Sequence, residues 1–397
     1  MAKILVEDSE DHTRVPFLRG ILIRSLQDSG LPFEEAYQLA TEVRNDLDET
    51  ALITKRELRN VVLDRLQSTK GQNVVNRYTK QRGLFTIRVE QRDGQVTLFS
   101  RLEYQHCLET IGLEAEEAAA IVSRVYRHLT ERHTERLTSR HLGHLTYRYL
   151  RQAPNLGPAV AQRWLVWRDF VNSGRPLIFL IGGTAGSGKS TIATMLASRL
   201  DIVRTQSTDM LREVMRTMVP EQLLPVLHKS SFVAWTALPG QTREAVRPSE
   251  ALLIHGYQTQ ADLLSVAIEA VVQRALRERV SLILEGVHIN PALIEKLQTG
   301  GDALVIPVMI GVLKRKRLQQ RIRGRGSNIP QRRAERYLKH FDDIWRLQSY
   351  LLSEADRTNI PIVVNNHRDK VFREIMRITI EILSRDFSGT ARAVFGG

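Results

Sequence analysis

Gly183-Thr-Ala-Gly-Ser-Gly188-Lys189-Ser190 follows the apolar run Pro176-Leu-Ile-Phe-Leu-Ile181 and leads into the helical pattern Thr191-Ile-Ala-Thr-Met-Leu-Ala-Ser-Arg-Leu200. Strand, glycine loop, helix is the order a phosphate cradle requires, and the eight residues spell GxxxxGK[ST]. Glycines let successive backbone N–H groups turn inward on phosphate oxygens, the lysine adds a point charge, and the serine hydroxyl is a ligand for Mg²⁺. The expected nucleotide site is therefore Gly183, Thr184, Ala185, Gly186, Ser187, Gly188, Lys189, Ser190 and Thr191.

Outward from this loop, strands and helices alternate. Candidate strands are 177–182, 202–206, 282–287, 303–310 and 361–365; candidate helices are 189–200, 209–218, 248–279, 330–356 and 369–386. Five strands separated by helices predict an α/β fold, a P-loop NTPase parallel sheet in a three-layer sandwich, with ligands outside the C-terminal strand ends. A Pro- and Gly-bearing connector, Ala153-Pro-Asn-Leu-Gly-Pro158, precedes a helix around Trp164-Leu-Val-Trp167.

The composition, 42% hydrophobic and 25% charged over 397 residues, is that of a soluble globular protein of two or three domains. The chain has no apolar stretch near the roughly 18 to 20 residues that span a bilayer, and MAKILVEDSEDH is acidic where a secretory signal is apolar. A cytoplasmic location without membrane attachment is expected. The single cysteine, Cys107, excludes an intrachain disulfide and a cysteine-based zinc site, so any metal is held by oxygen. The net charge of +13 raises nucleic acid as a partner. Its distribution argues otherwise: between Lys314 and Lys339 eleven lysines and arginines face Glu335 alone, and aromatics do not interleave with the arginines in the way single-strand binding platforms need. Such a stretch downstream of a phosphate loop reads as a lid, around 313–335, that brings Arg321, Arg325 and Arg332 or Arg333 to a transferred phosphoryl group; a solvated charged face is the plainer reading.

The residues singled out for chemistry fall at strand ends. Asp209 follows the second strand in Ser207-Thr-Asp-Met-Leu-Arg212-Glu-Val-Met-Arg216, with Arg212 and Arg216 further along the same helix. A carboxylate there can orient an acceptor hydroxyl and take its proton, and Asp209 can also serve as the helix N-cap. Leu282-Ile-Leu-Glu285 ends in an acid placed to hold Mg²⁺ through water, to share the base role, or to pair with an arginine. His288 is a substrate contact or a satisfied structural histidine. His228, Lys229, Ser230 and Ser231 offer an anionic acceptor a cation and hydroxyls, or form a plain connecting loop.

The N-terminal part repeats itself. Ile4-Leu-Val-Glu7, Pro16-Phe17-Leu-Arg19, Ser25-Leu26, Gly30-Leu31, Glu35-Ala36 and Val43 recur as Ile87-Arg-Val-Glu90, Leu98-Phe99-Ser-Arg101, Cys107-Leu108, Gly112-Leu113, Glu117-Ala118 and Val125. Each copy begins with a strand and a turn, Asp8-Ser-Glu-Asp11 or Arg92-Asp93-Gly94, before three amphipathic helices. These two small, mainly helical α+β modules resemble the ATP-cone, a regulatory nucleotide-binding module, although the first copy lacks the basic hairpin. A helical docking or dimerisation module without nucleotide is the alternative. The expected domains are 1–80 and 84–152 (ATP-cone-like), 153–175 (linker and connecting helix) and 176–397 (kinase), with the modules a candidate surface for homo-oligomerisation.

Pro16-Phe17-Leu-Arg-Gly20, Ile181-Gly-Gly-Thr-Ala-Gly-Ser-Gly-Lys-Ser-Thr191, Ser207-Thr-Asp-Met-Leu-Arg212, His228-Lys-Ser-Ser231 with Ala234-Trp235, Glu285-Gly-Val-His288, and Arg336-Tyr337 with Phe341 and Ile344 together resemble the 2-phosphoglycerate kinase family. The resemblance implies transfer of the γ-phosphoryl group of ATP, with Mg²⁺, to the 3-hydroxyl of 2-phosphoglycerate, a small anionic substrate. It carries Lys189, Asp209 and Arg325 as catalytic residues; Asp209, Arg212, Arg216, His228, Lys229, Ser230, Ser231, Arg321 and Arg332 as substrate contacts; and Ser190 and Glu285 as metal ligands. Residue chemistry alone reaches only a small-molecule kinase with an anionic acceptor. A nucleoside or RNA-end kinase and a non-catalytic nucleotide sensor are the competing readings.

Overall fold

The computed structural model describes residues 4–7, 14–28, 31–47, 51–69, 74–75, 78, 87–132, 134–240, 247–297, 303–324, 334–387 and 389–396. Two compact units divide the chain, residues 1–87 and 88–397.

In the first unit, β1 (Leu5–Glu7) pairs antiparallel with β2 (Arg14–Pro16) and parallel with β3 (Leu52–Thr54). Helices α1 (Arg19–Asp28), α2 (Phe33–Asp46) and α3 (Lys55–Thr69) bury Leu26, Leu39, Val43, Val62 and Leu66. Leu39 and Val43, like Val62 and Leu66, are one helical turn apart, which puts each pair on the face turned inward. The turn read at Asp8–Asp11 lies outside the described residues.

The second unit opens with the same construction. Strands β4 (Arg88–Glu90), β5 (Val96–Leu98) and β6 (Arg136–Thr138) pair in the same order and senses as β1, β2 and β3. Helices α4 (Arg101–Glu109), α5 (Ala115–Glu131) and α6 (Ser139–Gln152) follow their counterparts. Helix α7 (Gly157–Ser173) packs on α6: Trp164 is fully buried, its indole N–H donates to the Gly143 carbonyl at 2.9 Å, and its ring meets Tyr104 edge-on.

The larger sheet has the order β11-β10-β7-β9-β8, all parallel, from β7 (Leu177–Gly182), β8 (Arg204–Ser207), β9 (Leu282–Gly286), β10 (Leu304–Gly311) and β11 (Ile362–Val364). β7 is buried along its whole length, as its uninterrupted apolar run requires of a strand covered on both faces. After β7 the chain crosses to the β8 edge, returns through β9, and only then builds β10 and β11 on the other side, so the loops diverge beside β7. Helices α8 (Lys189–Leu200), α9 (Thr208–Met218), α10 (Glu250–Arg277), α11 (Pro291–Lys296), α12 (Arg315–Gly324), α13 (Ala334–Lys339), α14 (Phe341–Arg357), α15 (Arg368–Leu383) and α16 (Ala391–Phe395) complete the chain.

Two expectations are corrected. The second strand starts at Arg204, because the Ile202 amide still bonds back to the Ala197 carbonyl at the end of α8. The helix expected over 330–356 is broken at His340, where the backbone leaves helical geometry and Phe341 turns into the cluster of Phe232, Val312, Leu318, Ile322 and Ile344. Lys314–Gly324, read as part of a charged lid, contains helix α12, anchored in that same cluster by Leu318 and Ile322 one turn apart. Among the described residues, no helix is long and apolar enough to cross a membrane.

Candidate active site

Gly188 ends the glycine loop with φ 94°, a left-handed conformation that L side chains avoid. A Cβ there would stand 2.3 Å from the Asn365 amide nitrogen. Asn365, just past β11, donates to the Ser187 carbonyl at 2.8 Å; Arg321 on α12 donates to the same carbonyl at 3.2 Å and to the Asn365 carbonyl at 2.8 Å. The loop is thus shaped from outside by two side chains that reach it from other strands and helices. Gly186, Gly188, Lys189, Ser190, Thr191, Arg321, Asn365 and Arg368 line a cavity of about 520 Å³.

Lys189 is buried and donates to the Thr184 carbonyl at 3.1 Å. Ser190 donates its hydroxyl to the Glu285 carboxylate at 2.9 Å, across the β7–β9 pair in which Ile181 lies opposite Glu285. Burial first, then the Arg317 and Arg368 cations, lower the Arg321 pKa, and Arg321 and Arg368 both line the cavity. Thr184 Oγ1 and Ser187 Oγ are buried without hydrogen-bond partners among the described residues. Orphaned hydroxyls, glycine backbone and clustered cations fit a polyphosphate. The Ser190–Glu285 oxygens fit Mg²⁺, and because no group of three His, Cys, Asp or Glu among the described residues could hold a metal alone, phosphate and water would complete its shell.

On the other flank, β8 delivers Ser207 opposite Glu285. Ser207, and not Asp209, caps α9: its hydroxyl accepts the Asp209 amide at 3.2 Å, which leaves the Asp209 carboxylate 68% exposed with Arg212 Nε 3.8 Å away. Arg212 turns its other nitrogens on the protein itself, donating to the Leu227 and Lys229 carbonyls at 3.1 and 3.2 Å and to Glu213 at 3.1 Å. Arg216 pairs with Glu213 at 2.7 Å, one turn further from the strand end. His228 donates from Nε2 to the Val219 carbonyl at 2.9 Å, and Lys229 bonds Glu221 at 2.8 Å. Ser230 accepts from Arg336 at 3.0 Å, while Ser231 beside it is half-buried. Of the expected arginines, Arg321 reaches the loop; Arg325 and Arg332 lie outside the described residues.

Between the two flanks sits His288, 1% exposed. Its Nδ1 lies 2.9 Å from Thr208 Oγ1 and its Nε2 3.0 Å from Gln260 Oε1. Burial, outweighing the attraction of Asp209 and aided by Arg212 and Lys189, pushes its pKa down to about 4. The histidine is therefore a satisfied structural group at neutral pH. Thr208 fits beside it because residue 286 is glycine: a Cβ there would stand 1.7 Å from the Thr208 hydroxyl. Sequence reading missed Thr208, Gln260, Asn365 and Arg368. Gln260 had a signal, the polar residue that interrupts the buried stripe Leu253, Tyr257, Leu264, Ile268 of α10. Asn365 had another, its place at the end of an expected strand.

A parallel α/β sheet with a glycine loop at its switch point, a buried lysine and a hydroxyl–carboxylate pair defines a phosphotransferase, an enzyme that works by positioning and neutralising phosphates. No protein-family model matches the chain. A 2-phosphoglycerate kinase of Pyrococcus furiosus is 34% identical over 75% of this chain and 96% of its own length. One of Thermococcus kodakarensis is 36% identical over 91% and 92%, an alignment that reaches into both N-terminal modules, and one of Methanopyrus kandleri is 33% identical over 73% and 86%. The chain belongs to the 2-phosphoglycerate kinase family.

Proposed function

We propose that this chain transfers the γ-phosphoryl group of ATP to the 3-hydroxyl of 2-phosphoglycerate, giving 2,3-bisphosphoglycerate and ADP. The observation that carries the reading is its kinship, at 34–36% identity, with proteins named for that activity. In this reading the α/β core is a P-loop NTPase domain within 176–397. The modules at 1–80 and 84–152 are ATP-cones that tune the enzyme through nucleotide, joined to the core by 153–175, and the protein works in the cytoplasm.

Residues 183–191 cradle the ATP phosphates, Lys189 neutralises them, and Arg321 and Arg368 close the cationic end of the cavity around them. Ser190 and Glu285 hold Mg²⁺, which supplies charge neutralisation of the phosphates. Asp209 accepts the proton of the acceptor 3-hydroxyl as that oxygen forms its bond to phosphorus and the bridge to ADP breaks. Its exposure suits a group that must meet a diffusing substrate. Arg212, Arg216, His228, Lys229, Ser230 and Ser231, with Arg336, recognise the carboxylate and phosphate of the acceptor; Arg212 and His228 also tie down the backbone of that segment. Arg325 and Arg332 are assigned to the transferred group.

The test is ADP release with ATP and Mg²⁺ across 2-phosphoglycerate, 3-phosphoglycerate, glycerate, a nucleoside and a 5′-hydroxyl oligonucleotide, with the product identified by mass. Saturable turnover with 2-phosphoglycerate alone is expected. Preference for any other acceptor overturns the assignment.

A further inference from the structure

Gln260 lies fully buried on α10, and both hydrogens of its side-chain amide are committed: Nε2 donates to the Val226 carbonyl at 2.6 Å and to the Lys229 carbonyl at 3.0 Å. That commitment orients the whole chain of bonds behind it. Oε1 of Gln260 must accept, so the His288 Nε2–H donates to it; Nδ1 is then bare, and the Thr208 hydroxyl donates to Nδ1. One proton arrangement satisfies every member, and all three side chains are buried. Arg212 adds a second donor to the Lys229 carbonyl and one to Leu227, so the carbonyls of Val226, Leu227 and Lys229 are all held from the protein side.

The two ends of this relay have different functions. Thr208 is the residue between Ser207, opposite Glu285 in the sheet, and Asp209. Val226–Lys229 leads directly into Ser230 and Ser231. The bonded path Thr208–His288–Gln260–Lys229 therefore sets the separation between Asp209, next to Thr208, and the segment of small hydroxyls and cations, and none of its own bonds goes to residues 183–191. The Tyr257 hydroxyl, one turn before Gln260, donates to the Val287 carbonyl at 2.8 Å and ties the same helix to the residue next to His288.

We propose that Gln260 and His288 are positioning residues for the phosphoryl acceptor: they set the acceptor segment against Asp209, and through it the fit of 2-phosphoglycerate. The inference rests on the acceptor assigned above. Misplacing a reacting group by a fraction of an ångström costs rate out of proportion to stability. An amide that loses its donors leaves the Lys229 carbonyl on Arg212 alone and the Val226 carbonyl on one long backbone bond.

The experiment is steady-state kinetics of the full chain with each substrate varied in turn, for Gln260→Met, Gln260→Glu, His288→Leu and His288→Gln, alongside thermal melts. Gln260→Met and Gln260→Glu both lack the N–H groups, and each is expected to raise KM for 2-phosphoglycerate by about tenfold or more, with KM for ATP within about twofold. His288→Gln retains an N–H for Gln260 and is expected to keep most of the acceptor affinity that His288→Leu loses. A folded variant in which both KM values move together, or neither moves, overturns the proposal; so does a His288→Gln no better than His288→Leu. Should the Gln260 variants fail to fold, the His288 pair decides by the same split. A wild type that ignores 2-phosphoglycerate sinks the substrate assignment instead, and the split is then read with the acceptor it does use.

Discussion

Lowering the pH should destabilise the unit that contains residues 88–397 through one identifiable proton. His288 ordinarily titrates near 6.5, and burial inside the Thr208–Gln260 relay brings it to about 4. Between those values the unfolded chain binds a proton that the folded chain refuses. Stability is therefore complete above about pH 6.5, falls as pH drops through the window, and levels off below about 4. With these two pKa values the loss on going from pH 8 to pH 5 is about 2 kcal/mol, the logarithm of the ratio of the two binding polynomials. The groups that face the ring are Asp209, which favours the proton, and Arg212 and Lys189, which oppose it; desolvation outweighs all three. Urea unfolding followed by tryptophan fluorescence isolates the effect, because Trp164, Trp167, Trp235 and Trp345 all belong to the unit that holds His288. His288→Gln serves as the control: the two proteins differ in no other ionisable side chain, so the difference between their midpoints should narrow as pH falls from 7 to 5. Parallel curves over that range would refute the buried, neutral histidine and, with it, the proton arrangement of the relay.

Lys189→Ala should reduce kcat by about 10²-fold or more by removing the buried cation beside the phosphate cradle; near-normal turnover in the ADP-release assay would move the catalytic nucleotide site elsewhere. Asp209→Asn should lower kcat far more than ATP affinity, since its carboxylate stands on the flank away from the cavity; an unchanged kcat passes the base role to Glu285. Gly188→Ala must carry a Cβ 2.3 Å from Asn365 at φ 94°, a strain of about 1–3 kcal/mol, and should abolish ATP protection in thermal melts while the unliganded protein still folds. Removing residues 1–87 should leave a folded kinase, whereas removing 1–152 strips α6 from Trp164 and costs at least about 3 kcal/mol of burial, visible as loss of a cooperative melt. A stable 153–397 fragment would count against that packing.

The glycine loop was legible because its geometry restricts residue type. Only glycine tolerates φ 94° with Asn365 so near, and an acid at the end of a buried apolar strand stands out against its neighbours. The order of five strands and their helices followed from period and length. Where the helical reading failed, two demands competed over the same residues: around Lys314–Gly324 the charge run concealed Leu318 and Ile322, and at His340 tertiary burial of Phe341 broke a helix that local propensity would continue. The buried polar residues were hidden for a different reason. Gln260 and Asn365 bond backbone carbonyls and Thr208 bonds the His288 ring, and a carbonyl accepts from any donor, so residue type says little about which donor a fold will choose. What remains readable is the exception to a pattern. A glutamine in an apolar helical stripe must find partners or bear the cost of its burial, and here its partners are the Val226 and Lys229 carbonyls and His288. The residue that the hydrophobic pattern could not account for is the one that joins the strand ends to the 226–229 segment.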